Sequence, residues 1–88
     1  MNNFFTIGDV VLATAGREKG EIFLVLNIEE NNLYLINGKT RTFNQPKKKN
    51  IKHLHLLCKS ENTQLDMSKL ADAQVMNFLN NYNKSRVK

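Results

Sequence analysis

Lys47, Lys48, Lys49 and Lys52 place four ammonium groups within six residues, with Lys39, Arg41 and His53 close on either side. An ammonium is a compact, mobile point charge that suits a phosphate oxygen without reading base sequence. The same lysines on a loop with no partner would only solvate a surface. Charge distribution favours a partner. Residues 1–38 carry two basic and five acidic side chains, residues 39–59 seven basic and no acidic ones, and residues 60–88 four basic and three acidic. The net charge of +5 is therefore concentrated in one block, and a block of one sign calls for a partner of the other, most often nucleic acid. Upstream, Gly16-Arg17-Glu18-Lys19-Gly20 presents Arg17 and Lys19 outward with only Glu18 opposing them.

Other chemistries are poorly supported. His53, His55 and Cys58 lie close in sequence, but no Cys-x-x-Cys and no further histidine complete a tetrahedral zinc set. Cys58 reads as a small apolar core residue rather than a nucleophile, since no base and orienter accompany it. No phosphate-cradling glycine loop of the Walker or dinucleotide type is present, and no carboxylate pair is placed for acid–base work. A non-enzyme without cofactor, metal or small-molecule substrate is expected. The single cysteine excludes an internal disulfide and suits a reducing compartment. Met1 to Phe5 lacks the charge and apolar run of a signal peptide, and no stretch reaches transmembrane length. A cytoplasmic monomer that avoids membranes is the expectation.

The elements that must position these cations follow from periodicity. With 88 residues, 41% of them hydrophobic, the chain suits one small ordered unit. Gly8-Asp9 turns into a first strand over about 9–15. A second spans about 21–29, where Ile22, Leu24, Leu26 and Ile28 alternate on one face and Phe23 and Val25 take the other. Gly20 is expected to need its freedom of φ or a close backbone approach. Leu33 to Ile36 forms a third strand. Asn37-Gly38 then signals a two-residue hairpin leading to a fourth over Lys39 to Phe43. That register sets Tyr34 opposite Arg41, a basic–aromatic pair able to hold a phosphate and stack a base. A plain cross-strand cation–π contact is the alternative.

Pro46 ends that fourth strand, so Lys47 to Lys49 are expected on a loop. His53 to Cys58 alternates again as a fifth strand. Five short strands with regular turns predict a mainly β protein, a small five-stranded SH3-like barrel. From Ser60 the period changes: Val75, Phe78, Leu79 and Tyr82 mark an amphipathic helix with Asp72 as its N-cap, and Asp66 or Ser68 starts a short turn before it. The division is a barrel over 1–59 and a C-terminal helical extension over 60–88, the helix laid over Phe23 and Val25.

The strand–turn–strand from about Gly8 to Ile36 resembles the KOW motif. Asn37-Gly38-Lys39-Thr40-Arg41, Pro46-Lys47-Lys48-Lys49 and Lys52-His53-Leu54 extend that likeness. Together they resemble a bacterial family of small KOW-domain RNA-binding proteins, themselves similar to KOW large-subunit ribosomal proteins of archaea and eukaryotes. In that family a Gly-Arg-Asp-Lys-Gly loop, an Asp-Gly-Lys turn, a Pro-Lys-Lys-Lys run and a Lys-His-Leu strand follow in the same order. Glu18 and Asn37 replace family aspartates, and Met76 or Asn77 stands where a further basic residue is expected. The resemblance covers about residues 7–57. It implies an RNA-binding protein of the translation apparatus that contacts structured ribosomal RNA and performs no catalysis. On this reading the contact residues are Arg17, Lys19, Tyr34, Lys39, Arg41, Lys47, Lys48, Lys49, Lys52 and His53. The competing reading is an SH3-like protein–protein module that binds an acidic partner; the absence of tryptophan and of an aromatic cluster argues against a peptide groove.

Overall fold

The structure is a computed structural model that describes residues 4–86; Met1 to Asn3 and Val87 to Lys88, the outer ends of the lead-in and tail, lie outside them. The β-branched run Val10–Ala13 forms β1, Ile22–Glu29 forms β2 and Asn32–Ile36 forms β3. β4 is Lys47–Asn50 and β5 is Leu54–Cys58, separated by a 3-10 turn over Ile51–His53. All ladders are antiparallel, in the order β4-β3-β2-β1-β5. A four-residue helix α1 (Ser60–Thr63), a 3-10 turn capped by Asp66 through the Ser68 amide, and the long helix α2 (Asp72–Arg86) complete the described chain.

The protein is thus mainly β, with a five-stranded antiparallel sheet and a C-terminal helix. No ladder joins β4 to β5 among the described residues, so hydrogen bonds do not close the sheet into a barrel. The sheet must nonetheless coil. Val11, Ala13, Phe23, Val25, Leu33, Leu35 and Leu54 share one face with Phe5 and are buried there without a helix above them. A flat sheet would leave those side chains in water, at a cost of about 1.5–3 kcal/mol for each large one.

The other face holds a second core. Val10, Leu24 and Ile36 meet Val75 and Leu79 of α2, flanked by Leu65, Met67, Leu70, Phe78 and Tyr82. The helix therefore covers Leu24 and Ile36, not Phe23 and Val25. A bulge between Val25 and Asn27 also breaks the alternation, so Ile28 packs on the first core while Leu26 stays on the second. A like irregularity opposite Val10 and Val11 brings Leu57 and Cys58 together on the helix side. Bulges invert the faces that strict period two assigns.

The fourth strand lies elsewhere than the sequence predicts. The tight hairpin is Glu30-Asn31, where Glu29 pairs with Asn32 and Glu30 takes φ +56°. Asn37-Gly38 instead opens a ten-residue excursion before Lys47. The Asn37 Oδ1 accepts hydrogen bonds from the amides of Lys39, Thr40 and Arg41 at 2.9–3.0 Å, while the amides of Asn37 and Gly38 donate to the Arg41 carbonyl. An asparagine that satisfies local amides itself removes the donors a ladder needs. The lysine run then pairs with β3, Leu35 opposite Lys47 and Leu33 opposite Lys49. Lysine is a poor strand former, but an edge strand leaves half its backbone groups to water, and Pro46 just before it gives up no ladder bond. The helix start is also shifted: the Asp72 carboxylate accepts from the Phe43 amide at 3.0 Å, tying α2 to the excursion, and the Gln74 side chain accepts from the Ala71 amide.

Candidate nucleic-acid interface

Leu33 and Leu35 face the first core, so their β4 partners Lys49 and Lys47 project to that same side of the sheet. There they meet Glu18. Its carboxylate lies 3.4 Å from the Arg41 guanidinium, 3.7 Å from the Lys47 ammonium and 3.7 Å from the Lys49 ammonium. Three segments distant in sequence converge on it: the 16–20 loop, the 37–41 loop and β4. The Lys49 side chain is only 9% exposed and that of Glu18 14%. Arg17 and Lys19, on the same loop, point to solvent and carry no ion pair among the described residues. The 14–20 loop also reaches the far edge of the sheet, where the Thr14 amide donates to the His53 carbonyl at 2.8 Å. It thus spans the seam that β4 and β5 leave unpaired.

Burial pushes the Glu18 carboxyl up, but Lys47, its own backbone amide, Arg41 and Lys49 together outweigh this and hold it below its ordinary value of 4.5. A depressed folded-state value means that the brace contributes fully above the ordinary carboxylate range and is lost as pH falls through the lowered value. Protection factors for the Lys19 and Gly20 amides, which donate to the Gly16 and Ala13 carbonyls, are expected to stay level from neutral pH to about 4.5 and fall in stronger acid. Protection that declines near pH 6 would mean another group holds the loop.

The Tyr34–Arg41 pair does not form, because the excursion replaces the hairpin. Tyr34 faces Lys48 instead, whose ammonium lies 5.9 Å from the ring centroid and 3.2 Å from Glu29. The Tyr34 hydroxyl donates to Glu29 at 2.9 Å. These two contacts, the tyrosine hydroxyl first, hold the Glu29 carboxyl below its ordinary value, and Glu29 in turn raises the Lys48 ammonium. Lys48 is thus neutralised on the outer face. Tyr34 remains half-buried beside it.

The other expected contacts scatter. Lys39 lines a cavity of about 260 Å³ between α2 and the 20–22 segment, with Asn37, Asn80 and Asn83. Lys52 is exposed on the 3-10 turn, and His53 ends that turn rather than beginning β5, half-buried beside Thr14. Lys59 belongs to a different centre: its ammonium donates to the Phe4 carbonyl at 2.7 Å and to Asp9 at 3.1 Å. Sequence reasoning placed Glu18 only as a lone opposing charge; its contact with Arg41 spans 23 residues and leaves no local pattern to read.

Among the described residues no group of three metal-ligating side chains comes together, and no helix is long and apolar enough to cross a membrane. Neither a family model nor a curated protein matches the chain.

Proposed function

We propose that this chain is an RNA-binding protein of the translation apparatus, gripping structured RNA, ribosomal RNA above all, through phosphate contacts at its basic end. The observation that carries the reading is the convergence of the 16–20 loop, the 37–41 loop and β4. They bring Arg41, Lys47 and Lys49 onto the Glu18 carboxylate, with Arg17 and Lys19 exposed on the same loop. Phosphate contacts position a protein on folded RNA without sequence reading. The strand order, with a 3-10 turn just before β5 and a loop across the seam, supports the finer architectural reading of an SH3-like barrel of the KOW kind. Catalysis has no place in this reading.

The test is a salt-titrated binding series on a structured ribosomal RNA fragment, duplex DNA and an acidic peptide. Arg17→Ala with Lys19→Ala is the informative variant, because both side chains are exposed and carry no ion pair among the described residues. The double variant is expected to keep its melting temperature and to flatten the log–log salt slope by about 1.4–1.8, the equivalent of two phosphate contacts. Lys48→Ala is expected to change the slope little, since Glu29 already neutralises it. A wild-type slope in the double variant would remove the 16–20 loop from the interface, and preference for the acidic peptide would replace RNA with a protein partner.

A further inference from the structure

We propose that Arg41, Lys47 and Lys49 form a phosphate subsite in which Glu18 is a resident, displaceable competitor. The inference rests on the RNA-binding reading above and adds which phosphate-binding groups are masked in the free protein. Three cations share one carboxylate, so the cluster retains a local excess of two positive charges. None of the three contacts is tight: 3.4, 3.7 and 3.7 Å against about 2.7–2.9 Å for a well-formed charge-assisted hydrogen bond. Two carboxylate oxygens cannot satisfy a guanidinium fork and two ammonium groups arriving from different strands and loops. A phosphate group offers more acceptor oxygens in a tetrahedral array and can meet all three. The cations are also held in place before any ligand arrives. Lys47 and Lys49 are fixed by the β3–β4 register and Arg41 by the Asn37-capped loop. Glu18 reaches the three cations from the loop between Gly16 and Gly20, outside the ladder that fixes Lys47 and Lys49. Arg17 and Lys19 flank Glu18 in sequence and are exposed on the loop, where they would attract an incoming anion against the neighbouring acid Glu21.

Displacement then has a definite consequence. A phosphate that enters takes up the three cations and releases the 16–20 loop from β4, so binding and loop movement are one event. Part of the phosphate affinity is spent against Glu18, and removing that carboxylate should unmask the site.

Glu18→Gln is the direct test, with inorganic pyrophosphate and a ribosomal RNA hairpin as probes. At low ionic strength the variant should melt below wild type, because the three cations repel one another. Pyrophosphate should raise its melting temperature saturably and more than sodium chloride of equal ionic strength, with a smaller gain in wild type. The variant should bind the hairpin about threefold to tenfold tighter, as expected for loss of one competing charge contact. If pyrophosphate and chloride act alike on a folded Glu18→Gln protein, or if its hairpin affinity equals that of wild type while wild type binds, the subsite proposal is overturned. If pyrophosphate acts selectively but neither protein binds RNA, the subsite stands and the RNA reading falls. Should Glu18→Gln fail to fold, the amide resonances of residues 16–20 in the wild-type protein decide: saturable shifts with pyrophosphate and none with chloride support displacement, and unmoved resonances overturn it.

Discussion

Asp9→Ala is expected to cost about 3–5 kcal/mol, because buried donors that lose their acceptor cost about 1–3 kcal/mol each, out of a total on the order of 5–10 kcal/mol for a domain of this size. Asp9 is fully buried. Its carboxylate accepts from the Thr6 amide at 2.7 Å, the Thr6 hydroxyl at 2.6 Å, the Ser60 amide at 2.7 Å and the Lys59 ammonium at 3.1 Å. Two backbone amides, a hydroxyl and a half-exposed ammonium thus converge on one side chain that joins the start of β1 to the end of β5. Alanine would leave the Thr6 and Ser60 amides without their acceptor, and each buried orphan carries its own desolvation penalty. A midpoint drop of roughly 15–30 °C follows for a chain this short. Asp9→Asn is expected to be intermediate, since its amide keeps one acceptor but sets two new donors against existing ones. Thermal and denaturant unfolding read both. An Asp9→Ala midpoint within a degree or two of wild type would show that the carboxylate is not the tie described.

Gly38→Ala is expected to be nearly as damaging, at about 3 kcal/mol or more when left-handed strain and overpacking combine. Gly38 has φ +79°, and a Cβ there would collide with the Asp72 carbonyl oxygen, lie 2.7 Å from the Met76 amide nitrogen and 3.1 Å from its Cβ. The first turns of α2 rest directly on this glycine. Backbone cannot swing aside as a side-chain tip can, so α2 must lift, taking Val75 and Leu79 off Leu24 and Ile36. Gly20 is the internal control. Its φ of +92° is similar, but nothing lies within 4 Å of an added Cβ, so Gly20→Ala should cost only the conformational strain of about 1–2 kcal/mol. The sequence points to Gly20 as the glycine the fold depends on, and the close approach occurs at Gly38. Equal losses in the two variants would mean that strain, not contact with α2, sets the cost at Gly38.

β1, β2 and β3 were legible because their apolar residues are β-branched or alternate over four to eight positions, and α2 because Val75, Phe78, Leu79 and Tyr82 repeat at helical spacing. The short turn at Asp66 was legible from its cap. β4 was not, because its stability comes from the β3 backbone and not from its own residues. The Asn-Gly signal pointed to a hairpin that the Asn37 side chain forestalls by satisfying three amides itself. The face covered by α2 was illegible for another reason: Phe23, Leu24 and Val25 are all buried, so alternation separates the two faces without saying which meets the helix, and neither bulge carries a glycine to mark where Ile28 and Leu57 change sides. For the basic surface, the sequence located the cations but not their partners. Two lysines of the Lys47–Lys49 run turn toward Glu18, and the third is matched by Glu29, while Arg17, Lys19, Lys39 and Lys52 stay exposed without an ion pair among the described residues.

A sheet without closure has two edges, and any exposed edge is a template on which a second copy of the chain can add a strand. β4 meets that hazard with charge. A copy stacked antiparallel on Lys47–Asn50 would bring like ammonium groups side by side, unfavourable at neutral pH and less so once a polyanion or high salt screens them. β5 meets it with shape: its register slips opposite Val10 and Val11, and the Leu57 carbonyl already accepts from the Tyr82 hydroxyl at 3.4 Å. The lysines of β4 therefore also oppose such stacking, and self-association along this edge is expected only where a polyanion or high salt masks their charge.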